Sequence, residues 1–223
     1  MEIYFDIETI PGQRAGLREE LAEDIKHPAT MSKPETIAKW EKEDKPAAVE
    51  EAYLKTSFDG CMGQIVCIGW AVRGNEPASL FPRDLRVISE ECLIAGFFER
   101  LESFHNTSGT RPILVGHNHI AFDIPFIWKR AIVHGIKPPI WFPRNPKPWA
   151  ESVVDTMLLW DSTNRPGKSM DKICRALGIP GKGDVSGADV WPMAQRGELA
   201  QIAEYCREDV ERTRSMYRRM TFA

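Results

Sequence analysis

Three small groups of polar residues in this chain have types and spacings that chemistry can use. Asp6 and Glu8 stand two apart in the apolar run Ile3-Tyr4-Phe5-Asp6-Ile7-Glu8-Thr9. Side chains alternate faces along a strand, so Tyr4, Asp6 and Glu8 share one face and Ile3, Phe5 and Ile7 the other. Two adjacent carboxylates repel each other unless a cation lies between them, and burial in an apolar run raises that cost. An isolated D-x-E is also what a solvated strand end looks like, so its partners decide its meaning. The second group is Asn118 with Asp123, in the stretch GHNHIAFDIPFI at 116–127. A carboxylate in a first helical turn is held ionised by the helix dipole, which suits a metal ligand, and an ordinary N-terminal cap fits Asp123 equally well. The third is Tyr205 with Asp209, four apart and therefore on one face of a helix. Asp209 adjoins Val210 on a helix that must pack, yet Glu204, Arg207, Glu208, Glu211 and Arg212 surround it as they would a surface acid.

The elements that must position these residues follow from pattern. A first strand is predicted over 2–9, ended by Pro11-Gly12. Residues 13–58 turn polar and charged, with helices over 17–25 and 34–43, and read as a solvated helical insertion. The run QIVCIGWAV at 64–72 has the β-branched and apolar density of a central strand. A shorter strand is predicted around 79–81, a helix over 90–104, a buried strand over 113–115 and a helix over 122–133. A Pro-rich loop follows, then a stretch at 152–160 that begins as a strand. Residues 169–177 read as a helix closed by Gly178, and 198–220 as the last and longest helix. Strands alternating with helices predict an α/β fold, a central mixed sheet flanked by helices.

With 223 residues, the chain is expected to be one domain, 1–223, with a full-sized core. A net charge of −3 means that nucleic-acid binding has to come from a local patch. The five cysteines form no C-x-x-C pair, so buried thiols in a reducing compartment are expected rather than disulfides or zinc. Neither a signal peptide nor an apolar run of about 18 residues is present, which predicts a cytoplasmic protein with no membrane partner. Oligomeric state is not legible. Between 137 and 182, eight Lys or Arg face four Asp or Glu, with Trp141, Phe142, Trp149 and Trp160 among them. Bases beside aromatic platforms suit a single strand, and core or Pro-loop packing suits each aromatic equally.

Taken in order, an acidic pair on strand one, N-x-x-x-x-D at a strand-to-helix junction and Y-x-x-x-D on the last helix resemble the DEDD superfamily of 3′–5′ exonucleases, in its tyrosine-bearing (DEDDy) branch. The text from Asn118 through Phe122-Asp123 to Ile127 is similar to the second motif of family-B DNA polymerase proofreading domains. Val154-Asp155-Thr156 and the stretch from Asp171 to Ile179 are similar too. The resemblance runs from residue 3 to about 214, and points to a stand-alone enzyme like the predicted PolB-like exonucleases of bacteria and phages. The insertion at 13–58 is longer than compact members carry, which leaves its role open.

The resemblance implies a ribonuclease H-like fold and a two-metal phosphodiesterase using Mg²⁺ or Mn²⁺. It implies that Asp6 bridges both ions, that Glu8 and Asp209 complete one and Asp123 helps hold the other, and that Tyr205 orients the attacking water. A phenol with a reference pKa near 10 is a poor base at neutral pH, so positioning is the expected role. Asn118 is the expected polar contact to a phosphate or sugar oxygen. Thr9 and Ile10 match the family's contact region for the terminal nucleotide, with Phe122 beside them. His117 and His119 read as loop residues. The expected partner is a single-stranded DNA 3′ end. A 3′–5′ exoribonuclease and a silent nucleic-acid-binding module are the alternatives.

Overall fold

In the computed structural model, which describes residues 1–85, 89–162, 167–181, 183 and 185–223, the chain folds around its first strand. The strands are β1 (Glu2–Ile10), β2 (Gln64–Val72), β3 (Ala78–Leu80), β4 (Ile113–Gly116) and β5 (Val153–Asp155), in one sheet of order β3-β2-β1-β4-β5. β2 is antiparallel to both β1 and β3, whereas β4 runs parallel to β1 and β5 parallel to β4. The sheet is therefore mixed, as the alternation of elements predicted. Nine α-helices are described: α1 (Leu17–Asp24), α2 (Pro34–Glu43), α3 (Lys45–Lys55), α4 (Glu90–Ser108), α5 (Asp123–Val133), α6 (Thr156–Asp161), α7 (Met170–Leu177), α8 (Val190–Gln195) and α9 (Leu199–Thr221).

The period-two alternation of β1 sorts the molecule into two layers. Ile3, Phe5 and Ile7 pack against Phe97 and Leu101 of α4 and Ile124 and Ile127 of α5. On the opposite face Tyr4 meets Val210 of α9, and Ile10 meets Ile202 of α9 and Met193 of α8. Asp6 and Glu8 thus open onto the α9 side, between two apolar contacts. Opposite Asp6 lies Gly69, where a β-carbon would come within 2.8 Å of the Cys206 sulfur. The absent side chain lets α9 settle directly on β2.

Two irregularities make room for a site. The β1–β4 ladder covers only Glu2 to Tyr4, so a crevice opens beyond the carboxyl ends of the parallel strands. Opposite Glu8, β2 carries a bulge: Glu8 pairs with Cys67 and Thr9 with Ile65, leaving Val66 over. Bulges beside functional sites redirect neighbouring side chains.

Residues 13–58 carry most of their charge on the surface and are also tied to the body. Leu17, Trp40 and Tyr53 are buried, and the Tyr53 and Trp191 rings meet edge to face at 6.3 Å. Thr56 Oγ1 accepts the Gly12 amide at 3.0 Å. α3, α6 and α8 are additional to the helices predicted from sequence. Trp141 and Phe142 are core residues packed with Phe98, which removes them from the proposed aromatic platforms. Trp149 is 78 % exposed and Trp160 is exposed as well, while Arg165 and Lys182 of that basic stretch lie outside the described residues. Of the cysteines, Cys67, Cys174 and Cys206 are buried as expected, but Cys61 and Cys92 are exposed.

At the far end of α5, Arg130 donates three hydrogen bonds to the buried Glu90 carboxylate, the closest at 2.6 Å. Glu90 also accepts the Ile65 amide at 2.7 Å and contacts His134 Nε2 at 2.7 Å. Arg130 reaches the carbonyls of Gly60 and Cys61, fastening the turn that follows residues 13–58 to the core.

Candidate active site

A cleft of about 310 Å³ lies at the crevice and brings together Asp6, Glu8, Asp123, Tyr205 and Asp209. Thr9, Asn118 and Phe122 also line it. Ile10 does not: it is fully buried among the apolar residues of α8 and α9. That corrects its reading as a nucleotide contact, and the cause is the face it shares with Glu8, which turns inward once the acids are passed.

Each carboxylate arrives by a different route. Strand alternation delivers Asp6 and Glu8 to one face, and Glu8 is buried. Asp123 begins α5, and its Oδ1 accepts the Ile7 amide at 3.1 Å, using a strand N–H that the short β1–β4 ladder leaves over. Burial pushes the Asp123 carboxyl up to about 7, against the pull of that backbone hydrogen bond and with smaller contributions from Asp155 and Asp209. α9 presents Tyr205 and Asp209 from one face, both buried. Arg212, one turn on, donates to Asp209 Oδ1 at 2.8 Å and to Glu208 at 2.7 Å. The Tyr205 phenol is pushed far above its ordinary value by burial first, then by the charges of Asp209, Glu8 and Asp6. It remains neutral at any working pH.

The second-motif loop is held in an unusual shape. Asn118 has φ 62°, in the left-handed region where asparagine is among the few residues tolerated. His119 is completely buried, its ring 5.3 Å from that of Phe5, and burial holds its pKa down at about 4. A β-carbon at Gly116 would sit 2.3 Å from His119 Nδ1, so this close approach requires glycine. His117 lines the cleft, with Nδ1 3.0 Å from Thr156 Oγ1.

Sequence reasoning missed part of the wall. Ser57 and Phe58, at the end of the inserted segment, line the cleft, as do Gly187 and Ala188. Phe58 is 73 % exposed, with its ring centroid 6.4 Å from that of Phe122. Ser57 is tied down by Thr9, whose hydroxyl donates to its carbonyl at 2.7 Å. The only local signal was an apolar aromatic at the end of a charged stretch.

The donor set suits a hard divalent cation. Four carboxylates line the cleft and, among the described residues, no lysine or arginine does. Oxygens of Asp6 and Glu8 and the Cys206 sulfur lie within 4.8 Å of one another. Burial pushes the Cys206 thiol up, so that it stays protonated, and Sγ contacts the Asp6 carbonyl at 3.5 Å.

Comparisons with known proteins bear on the fold and the family. No curated protein matches the sequence. Among solved structures, the family B DNA polymerase from the hyperthermophilic archaeon Pyrobaculum calidifontis superposes with a TM-score of 0.56 at 16 % identity. The match covers 99 % of this chain and 24 % of the polymerase chain, and establishes a ribonuclease H-like fold. Exonuclease domains of this kind generally use divalent metals, which the acidic cleft fits. Residues 53–223 match the model of one family throughout. The chain belongs to that family, the predicted 3′–5′ exonucleases related to the exonuclease domain of PolB.

Proposed function

We propose that the 223 residues form one exonuclease domain that shortens single-stranded DNA from its 3′ end and releases nucleoside 5′-monophosphates. The observation that carries this reading is the convergence of four carboxylates and a neutral tyrosine on one cleft. Asp6, Glu8 and Asp209 would hold one Mg²⁺ or Mn²⁺, and Asp6 with Asp123 a second. When bound, such ions acidify a water and stabilise charge on the phosphate and the leaving 3′-oxygen.

The residues of the chain do the rest. Tyr205, kept protonated, orients the attacking water from its hydroxyl and does not act as a base. Asn118 offers its amide to a phosphate or sugar oxygen. Thr9 and Phe122 border the terminal nucleotide, and Phe58 offers an open aromatic face to a base. Arg212 balances Asp209 from outside the cleft wall.

The test uses 5′-labelled single-stranded and duplex DNA and matched RNA, with Mg²⁺, with Mn²⁺ and with EDTA. Stepwise shortening of single-stranded DNA that EDTA abolishes is expected. Asp6→Ala and Asp209→Ala should each lower the rate by about a thousandfold or more while the protein stays folded. Full activity in either variant overturns the metal assignment, preference for RNA overturns the substrate, and binding without shortening overturns the enzyme.

A further inference from the structure

We infer that Asp155 is a positioning residue for the exonuclease reaction, a carboxylate that shapes the second-motif loop from behind without entering the cleft. The inference rests on the reading of the cleft proposed above. Asp155 ends β5, is 3 % exposed, and is absent from the cleft wall. Its Oδ1 accepts the amides of Asn118 at 2.9 Å, Met157 at 3.0 Å and Leu158 at 3.5 Å, while Oδ2 accepts that of Ile120 at 3.2 Å. Four backbone N–H groups thus converge on one carboxylate, three on Oδ1 and one on Oδ2. This buried acid is engaged by the protein's own backbone.

Its donors fall into two sets. Met157 and Leu158 are the first amides of α6, so one half of the interaction is an ordinary helix cap. Asn118 and Ile120 lie 37 and 35 residues away and belong to the loop that feeds the cleft. Thr156 extends the clamp: its hydroxyl donates to the Gly116 carbonyl at 3.1 Å and lies 3.0 Å from His117 Nδ1. Two consecutive residues thus fasten the loop at positions 116, 117, 118 and 120.

What the clamp fixes is a conformation the loop would not choose alone. Asn118 is left-handed, and its carbonyl accepts the Phe122 amide at 3.0 Å, while that of His119 accepts the Ile124 amide at 2.9 Å. The turn therefore sets where α5 begins, and α5 begins with Asp123. Releasing Asp155 from the amides of Asn118 and Ile120 shifts Asn118, Phe122 and Asp123 together, three residues of the cleft wall.

The test compares Asp155→Asn with the unmodified chain. The substitution keeps size and one oxygen but turns an NH₂ against an N–H, breaking the clamp at one end. Rates on a 3′-labelled oligonucleotide, Mn²⁺ affinity by calorimetry and thermal unfolding are measured together. Asp155→Asn should stay folded, lose about 100-fold in kcat and bind Mn²⁺ several-fold more weakly, because displacement of about 1 Å is felt at that level. In an Asn118→Gly background, where glycine takes positive φ without strain, Asp155→Asn should cost several-fold less. A purely structural role would lower stability and leave kcat, Mn²⁺ affinity and that coupling unchanged, and this result overturns the proposal. Should Asp155→Asn fail to fold, Thr156→Val releases the loop from the other residue of the clamp and is read the same way. If the unmodified chain digests nothing, the exonuclease reading fails, and calorimetry still decides the clamp: Mn²⁺ affinity lowered in Asp155→Asn supports it, unchanged affinity overturns it.

Discussion

The molecule buries acidic charge in two places and treats it in opposite ways. Around Glu90, the countercharge is built in: Arg130 grips the carboxylate with several hydrogen bonds and His134 closes on one oxygen. Around Asp6, four carboxylates line one cleft whose described wall contributes no lysine or arginine. The first cluster is complete as it stands and ties α4 to α5 and to the turn that follows residues 13–58. The second gathers four carboxylates around one space, the donor set of a hard divalent cation. Similar chemistry yields a joint in one place and a candidate working site in the other, and the difference lies in arrangement: one acid gripped by its neighbours in the first, four acids facing a shared opening in the second.

The largest effect that separates them is on stability. Arg130→Met leaves Glu90 buried without its partner and should cost about 3–5 kcal/mol. Urea unfolding measures it, and exonuclease rate per folded molecule at low temperature should hardly change. A comparable loss of turnover would show that the joint and the cleft are not separate.

A smaller effect concerns pH. Asp123 has its folded-state pKa raised to about 7 from an ordinary 3.8, so without added metal the native state holds a proton that the unfolded chain gives up. This contribution to stability is complete below about pH 4 and is lost as pH rises through 7. Melting scans in EDTA should show that decline, Asp123→Asn should flatten it, and Mg²⁺ should raise Tm more at pH 8 than at pH 5. Equal Mg²⁺ shifts at both values would break the picture of a cation-hungry cleft.

The smallest effect tests the rim. Phe58→Ala removes an open ring worth about 1–3 kcal/mol in base stacking, so KM for a short oligonucleotide should rise roughly tenfold with kcat nearly unchanged. An unaltered KM would mean that the inserted segment borders the cleft without touching substrate.

The carboxylates were legible because each sits in a local pattern. β1 alternates, so the shared face of Asp6 and Glu8 follows from period two, and Tyr205 and Asp209 follow from helical spacing. Ile10 was misjudged because proximity to the acids was taken for access. Strand phase carries it inward instead, onto α8, a helix the periodicity had not revealed. Phe58, and the clamp that Asp155 makes, were hidden for another reason. Phe58 meets Phe122 and Asp155 meets Asn118 across long stretches of chain, and no local periodicity encodes such contacts. Trp141 and Trp149, eight positions apart in one Pro-rich loop, end respectively in the core and in water; composition alone gave both the same standing.

Gly69 sets a dimension of the site. It faces Asp6 across the ladder and lies under Cys206, the neighbour of Tyr205, with less room than one carbon atom requires. An alanine there would have to displace Cys206, and with it the helix that carries Tyr205 and Asp209, away from the strand that carries Asp6 and Glu8. One methyl group, buried and remote from any substrate, would thus retune the spacing of the whole acidic set.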